Sequence, residues 1–84
     1  MSIRKPSDAA IAAMGDTICD HFKVKRSSRE YGDLLTAAID EWENEYRRLW
    51  DKWAIWRMAG RQGKCPVVDP SEVTHSVVKW IRTI

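Results

Sequence analysis

Thiol and imidazole groups are the first candidates for chemistry in this sequence of 84 residues, because both are common zinc ligands. Cys19 and His21 lie two positions apart, and Cys65 and His75 follow far along the chain. Positions two apart on a helix point about 160° away from each other, so Cys19 and His21 could not chelate one ion. No two cysteines have the two-residue spacing of a zinc motif either. We therefore expect no metal site and no cofactor.

Carboxylates are the second candidates, as general acids or bases. They are concentrated at Asp40, Glu41, Glu43 and Glu45. This spacing predicts a solvated helix face, and the sequence has neither a glycine-rich phosphate loop nor a nucleophile and base at a suggestive spacing. A helical domain of this size seldom encloses a substrate cleft. We expect a protein that is not an enzyme and has no small-molecule substrate.

Cations form two clusters that could bind the phosphates of a nucleic acid. The first, the basic elbow, consists of Lys23, Lys25, Arg26 and Arg29. The second, the distal basic cluster, consists of Arg57, Arg61 and Lys64. Cations at helix ends are also expected from the helix dipole alone, and no helix-turn-helix pattern accompanies them. Nucleic-acid binding is therefore the alternative interpretation.

Tryptophan is concentrated in one segment, WENEYRRLWDKWAIWR at residues 42–57, which holds four of the five tryptophans. Apolar residues here follow a 3.5-residue repeat, which is typical of a helix that packs along its whole length. The repeat consists of Leu35, Ile39, Trp42, Tyr46, Leu49, Trp53 and Trp56. Arg57 follows Trp53 by one turn, so its guanidinium is predicted to lie over an indole, a contact worth about 0.5–2 kcal/mol. Trp, Tyr and Arg are enriched at binding hot spots.

The pattern WxxWxxWRxxGRxGxxP at residues 50–66 resembles the tryptophan-rich tail of phage antitermination proteins of the Q type. It covers about a fifth of the chain and assigns no role to any residue here. The resemblance implies a phage or mobile-element origin.

Few breakers interrupt the chain, which has only four glycines and three prolines. The sequence predicts an all-α, three-helix domain spanning residues 1–84. Its long central helix, about 28–59, is expected to be flanked by two shorter antiparallel helices, about 8–24 and 70–83.

Local signals set these boundaries. Ser7 is a good N-cap for the first helix, and Ser27 with Glu30 has the spacing of a capping box for the second. Gly60 is a natural stop for the second helix, and Asp69 followed by proline predicts the start of the third. Gly15 is expected to allow close approach of a neighbouring helix.

Helix lengths suggest that the first helix follows the first half of the central helix and the third follows its second half. Each level of the central helix would then have one partner, which leaves part of the aromatic stripe uncovered. An exposed apolar patch usually marks an interface. We expect the partner to be another protein, either a second copy in a symmetric homodimer or a larger target. The predicted partner-binding residues are Trp50, Trp53, Trp56, Arg57 and Arg61.

The remaining properties bound the class of protein. No apolar run approaches the ~18 residues of a membrane span. Asp8 and Asp16 interrupt the nearest resemblance to a signal segment, so we expect a cytoplasmic protein with reduced thiols and no membrane partner. Charge is segregated, with a net charge of −5 over residues 30–51 and +4 over residues 52–68.

Taken together, the sequence predicts a small non-enzymatic protein-interaction protein. We expect an accessory regulator or inhibitor of a larger machine that acts by steric occupation through its Trp/Arg patch.

Overall fold

A computed structural model describes residues 5–84, which fold into three helices. They are α1 (Asp8–Phe22), α2 (Arg29–Met58) and α3 (Pro70–Thr83). The described range contains no strand, and all three helices contact one another, which confirms the predicted fold class. The first four residues, which the predicted domain includes, lie outside the described residues.

The first turns of α1 and α3 are capped as predicted. The Ser7 hydroxyl accepts a hydrogen bond from the backbone N–H of Ala10 at 3.2 Å. The Asp69 carboxylate accepts one from the N–H of Ser71 at 2.9 Å, and Pro70 occupies the first helical position. Each cap satisfies a backbone donor that has no partner inside its helix.

The cap of α2 differs from the prediction by one residue. Ser28, not Ser27, is the N-cap, and its hydroxyl accepts from the N–H of Tyr31 at 3.2 Å. The same hydroxyl donates to the carbonyl of Lys25 at 2.7 Å, so Ser28 also fixes the turn that leads into the helix. The predicted capping box between Ser27 and Glu30 is therefore wrong, because the α1–α2 turn selects the second of two adjacent serines.

A glycine ends a helix only at α2, where the sequence predicted it. That helix ends at Met58, and Gly60 adopts a φ of 86°, a left-handed conformation that glycine adopts without strain. The N–H of Arg61 then donates to the carbonyl of Trp56 at 3.1 Å and closes the end. α1 ends two residues earlier than predicted, where Lys23 turns into the left-handed region with a φ of 57°.

The core consists of one apolar stripe from each helix. The residues of this buried cluster are Met14 and Ile18 of α1, Ala38, Trp42 and Tyr46 of α2, and Val73, Val77 and Ile81 of α3. Trp42 is at the centre: it is 1% exposed, its ring stacks on Tyr46 at 5.1 Å between centroids, and its indole N–H donates to the Thr74 hydroxyl at 3.1 Å. Burying apolar area of this kind is the main force that holds such a small domain together.

The two short helices run parallel to each other and antiparallel to α2. At one end, Ser7 of α1 and Pro70 of α3 line one depression together with Trp42. At the other end, a ring nitrogen of His21 in α1 lies 3.3 Å from the carbonyl oxygen of Ile84, just after α3. Both short helices therefore pack mainly on the first half of α2, and their packing reaches Tyr46 and Leu49.

The prediction that α3 follows the second half of α2 is thus wrong. The loop after α2 first runs back along it: the Trp56 N–H donates to the Gly63 carbonyl at 3.4 Å, and Val67 borders the same groove as Leu49. This return brings Asp69 level with the bundle before α3 begins. Placing α3 there lets its valines complete the core with α1, an arrangement that helix lengths alone do not reveal.

The close approach expected at Gly15 is confirmed. Gly15 is buried, and a Cβ atom at this position would clash with the Tyr31 hydroxyl oxygen. The absence of a side chain therefore lets the start of α2 pack against the middle of α1.

Candidate functional site

The distal segment, residues 50–61, is the part of α2 and its C-terminal turn that extends past the bundle. The last buried residue of α2 is Tyr46, and residues 47–58 include none. The 30 residues of α2 span about 45 Å, which matches the longest dimension of the described chain, 49 Å. Trp50 still packs against the core cluster, and beyond it the loop runs beside the distal segment.

An aromatic ladder joins the core to the distal segment along one side of α2. It begins with Trp42 on Tyr46 and continues with edge-to-face contacts from Tyr46 to Trp50 (6.3 Å) and from Trp50 to Trp53 (5.5 Å). The Arg57 guanidinium lies over the Trp53 ring at 5.4 Å from its centroid, which confirms the predicted cation–π contact. Each ring limits the rotamers of the next, so the distal segment is held in a defined shape.

The three distal indoles differ in their surroundings. Trp50 packs against the core cluster, whereas Trp53 and Trp56 lie beyond it, and all three remain partly exposed. The Trp50 indole N–H is buried and has no hydrogen-bond acceptor within residues 5–84. An unsatisfied buried donor costs about 1–3 kcal/mol, so the side chain of Trp50 is held by packing alone.

Two large apolar side chains on the distal segment are strongly exposed. Ile55 is 67% exposed and Met58 is 87% exposed. They lie three positions apart and therefore on one side of the helix, away from the aromatic ladder. Together with the partly exposed indoles, they make the distal segment apolar on more than one side.

The distal basic cluster adds charge to this apolar surface. Arg57, Arg61 and Lys64 are all exposed, and no carboxylate occurs between residues 52 and 68. Within the described part of the chain, none of these three cations forms an ion pair. Their charge is therefore available to a partner, although high salt screens it.

The basic elbow is exposed but partly neutralised. Arg26 pairs with Asp16, and Lys23 lies 3.9 Å from Asp20. Lys25 and Arg29 are exposed. With two of its four cations paired, this cluster offers less net charge to a phosphate backbone than its sequence indicates.

The candidate metal and acid–base residues do not converge. Cys19 is partly buried on α1, Cys65 is exposed in the loop, and residues 5–84 contain no group of three or more His, Cys, Asp or Glu side chains placed to hold a metal ion. Asp40 is exposed on α2, and Glu45 pairs with Arg48 on the same helix.

No helix among residues 5–84 is long and apolar enough to cross a membrane.

A groove that sequence reasoning missed lies where the distal segment meets the bundle. We call it the acidic groove; it is lined by Glu45, Leu49, Val67, Glu72, Val73 and Ser76 and has a volume of about 380 Å³. It combines residues from α2, the loop and the first two turns of α3. No sequence spacing relates these three parts, because they meet only when α3 packs on the first half of α2.

Comparisons of the sequence with models of known families, and of the chain with curated proteins and solved structures, find no match.

Proposed function

We propose that this chain is a small, non-enzymatic protein-binding protein that regulates or inhibits a larger assembly through its distal segment. The observation that carries the proposal is an uncovered helix end that combines partly exposed Trp53 and Trp56, exposed Ile55 and Met58, and the exposed Arg57. Aromatic residues, Met and Arg are the side chains enriched in protein interfaces.

The rigidity of the distal segment supports binding. The aromatic ladder anchors Trp53 to the buried Trp42, and Arg57 is already placed over its indole. A surface that is ordered before binding loses less side-chain entropy when a partner docks. The four cations of residues 52–68, without any carboxylate, favour a partner surface that is acidic around an apolar centre.

The proposed mechanism is steric occupation. The distal segment would cover a functional surface of its target, while the bundle of α1, α3 and the first half of α2 holds it in place. A cytoplasmic location and a phage or mobile-element origin belong to this proposal.

The test is affinity capture with the whole chain as bait, followed by mass spectrometry and by reconstitution with each purified candidate. The lysate comes from the organism that encodes the chain or from its host. The matched baits are the wild type, the double variant Trp53→Ala/Arg57→Ala, and a control, Lys25→Ala/Arg29→Ala, which removes exposed charges at the far end of α2. We expect a protein that the wild type and the control retain and the distal variant loses. Equal recovery by all three baits would refute the proposal.

The second candidate function is nucleic-acid binding through the distal basic cluster and the elbow. The free cations Arg57, Arg61 and Lys64 favour it, whereas the ion pairs of Lys23 and Arg26 weaken it. Phosphate binding loses affinity steeply as salt rises, because counterions are released. Docking through apolar contacts changes far less. A titration with duplex and single-stranded oligonucleotides at two salt concentrations therefore separates the two functions.

A further inference from the structure

We infer that the distal segment of one copy of this chain seats on the acidic groove of a second copy, and the reverse, in a two-fold symmetric dimer. This inference rests on the proposed function, since it names a second partner for the same distal segment, one that competes with the larger target for it. The observation that carries it is charge complementarity within one chain: a basic, apolar helix end and an acidic, apolar groove that its own helix end cannot reach.

The chemistry of the groove fits the distal segment. Its apolar floor is formed by Leu49 and by Val73, which is 2% exposed, and its edge by Val67, which is 67% exposed. Glu72 supplies a carboxylate, and Glu45 supplies a second one that already pairs with Arg48 of its own helix. Glu72 is exposed and has no ion-pair partner among residues 5–84. A floor of this kind accepts an apolar side chain, and its carboxylates favour an accompanying arginine.

The spacing along α2 lets both contacts form at once. Leu49 and Arg57 lie four positions on either side of Trp53, and all three are within α2. Two antiparallel copies of α2 that cross near Trp53 therefore place Arg57 of each copy beside Leu49 of the other, and the turn after α2, which carries Arg61, beside the rest of the groove. A two-fold axis makes the two contacts identical, as a closed dimer requires.

Electrostatic repulsion selects the antiparallel arrangement. In it, the Arg57 side chains of the two copies are separated by eight helical positions, about 12 Å along the axis, which exceeds a Debye length of about 8 Å at physiological salt. In a parallel pair, the distal basic cluster of one copy would lie beside the same cluster of the other copy. A dimer in which the two distal segments contact each other, and not the groove, would likewise bring cations close to cations.

The test is sedimentation velocity of the full chain and two charge reversals, Arg61→Glu and Glu72→Lys, up to ~1 mM protein. We expect the wild type to dimerise. Each reversal alone places like charges together in both symmetric contacts, and the dimer dissociation constant should rise about 100-fold. Mixed in equal amounts, the two variants should form a one-to-one heterodimer. In that heterodimer one contact is the native pair and the other is the same pair with its charges exchanged.

Matched controls are Glu30→Lys, which removes an exposed carboxylate from the first turn of α2 as Glu72→Lys does from α3, and Lys79→Glu on the exposed face of α3. Circular dichroism monitors folding. If Glu72→Lys unfolds, Glu72→Gln replaces it, and this neutral variant should weaken the dimer less than the charge reversal Arg61→Glu does. A wild type that stays monomeric, or variants whose mixture gives no heterodimer, overturns the inference. The inference is also overturned if a monomeric wild type captures a foreign protein that the variant Trp53→Ala/Arg57→Ala does not capture. That outcome supports the proposed function.

Discussion

Alanine substitution of Trp42 and of Trp53 should have opposite consequences, although the two residues lie on the same side of one helix. Trp42 is 1% exposed and contacts Tyr46 and Thr74, whereas Trp53 lies beyond the core cluster and contacts Trp50 and Arg57. We expect Trp42→Ala to remove much of the stability of the fold. Trp53→Ala should leave the fold intact and remove binding.

The magnitudes follow from these contacts. Replacing a buried tryptophan by alanine costs about 3–5 kcal/mol, and a chain of 84 residues has a total stability of roughly 4–13 kcal/mol. At Trp53 the losses are an aromatic pair, about 0.5–1.5 kcal/mol, and a cation–π contact, about 0.5–1 kcal/mol. Alanine regains about 0.5 kcal/mol of helix propensity. The net cost at Trp53 is therefore about 0.5–2 kcal/mol.

The assay is urea unfolding followed by far-ultraviolet circular dichroism. With a slope of about 1 kcal/mol per molar urea, Trp42→Ala should lower the midpoint by ~3 M or more, and Trp53→Ala by ~1–2 M at most. Ile55→Ala, at an exposed position, is the control and should change the free energy of unfolding by no more than about 0.5 kcal/mol. Equal losses for the two tryptophans would refute the reasoning, because they would mean that the distal segment is packed as tightly as the bundle.

Three glycine substitutions test the backbone and the helix contacts by the same assay. Gly15→Ala should lower the free energy of unfolding by about 1–3 kcal/mol, because the new methyl group meets the Tyr31 hydroxyl. Adding Tyr31→Phe should recover part of this loss, and no recovery would contradict the contact. Gly32→Ala should stabilise the chain by about 0.5–1 kcal/mol, since the position is helical and open; a loss would show a contact that the fold lacks. Gly60→Ala should destabilise it by about 1 kcal/mol, because φ is 86° there, and a neutral result would mean that the turn tolerates another conformation.

The local features of the fold were predictable because they depend on neighbouring residues alone. Ser7 and Asp69 cap helices through backbone groups two or three positions away, and Gly60 ends α2 through its own φ. The contact between Arg57 and Trp53 was predictable for the same reason, since residues four apart on a helix are neighbours. Even so, two adjacent serines were locally equivalent, and only the turn from Lys25 decided that Ser28 caps α2.

The candidate site was predictable only in part. The stripe that contains Trp53 and Trp56 was visible in the sequence, as was its excess over what two short helices can cover. Which tryptophans are buried was not visible, because Trp42 and Trp53 occupy equivalent positions in the same repeat. The acidic groove was not visible at all, since Glu45 and Glu72 belong to different helices.

The sequence by itself determined three helices, the caps of α1 and α3, and a charge-segregated central helix with more aromatic residues than its own bundle buries. The tertiary structure decided where that excess lies. By returning along the distal segment, the loop places α3 beside α1, so that both short helices bury α2 up to Tyr46 and leave most of the distal segment uncovered by either. The physical reason is that helix periodicity fixes which residues share a face. Which faces meet depends on how three apolar stripes, from distant parts of the chain, bury the most area together.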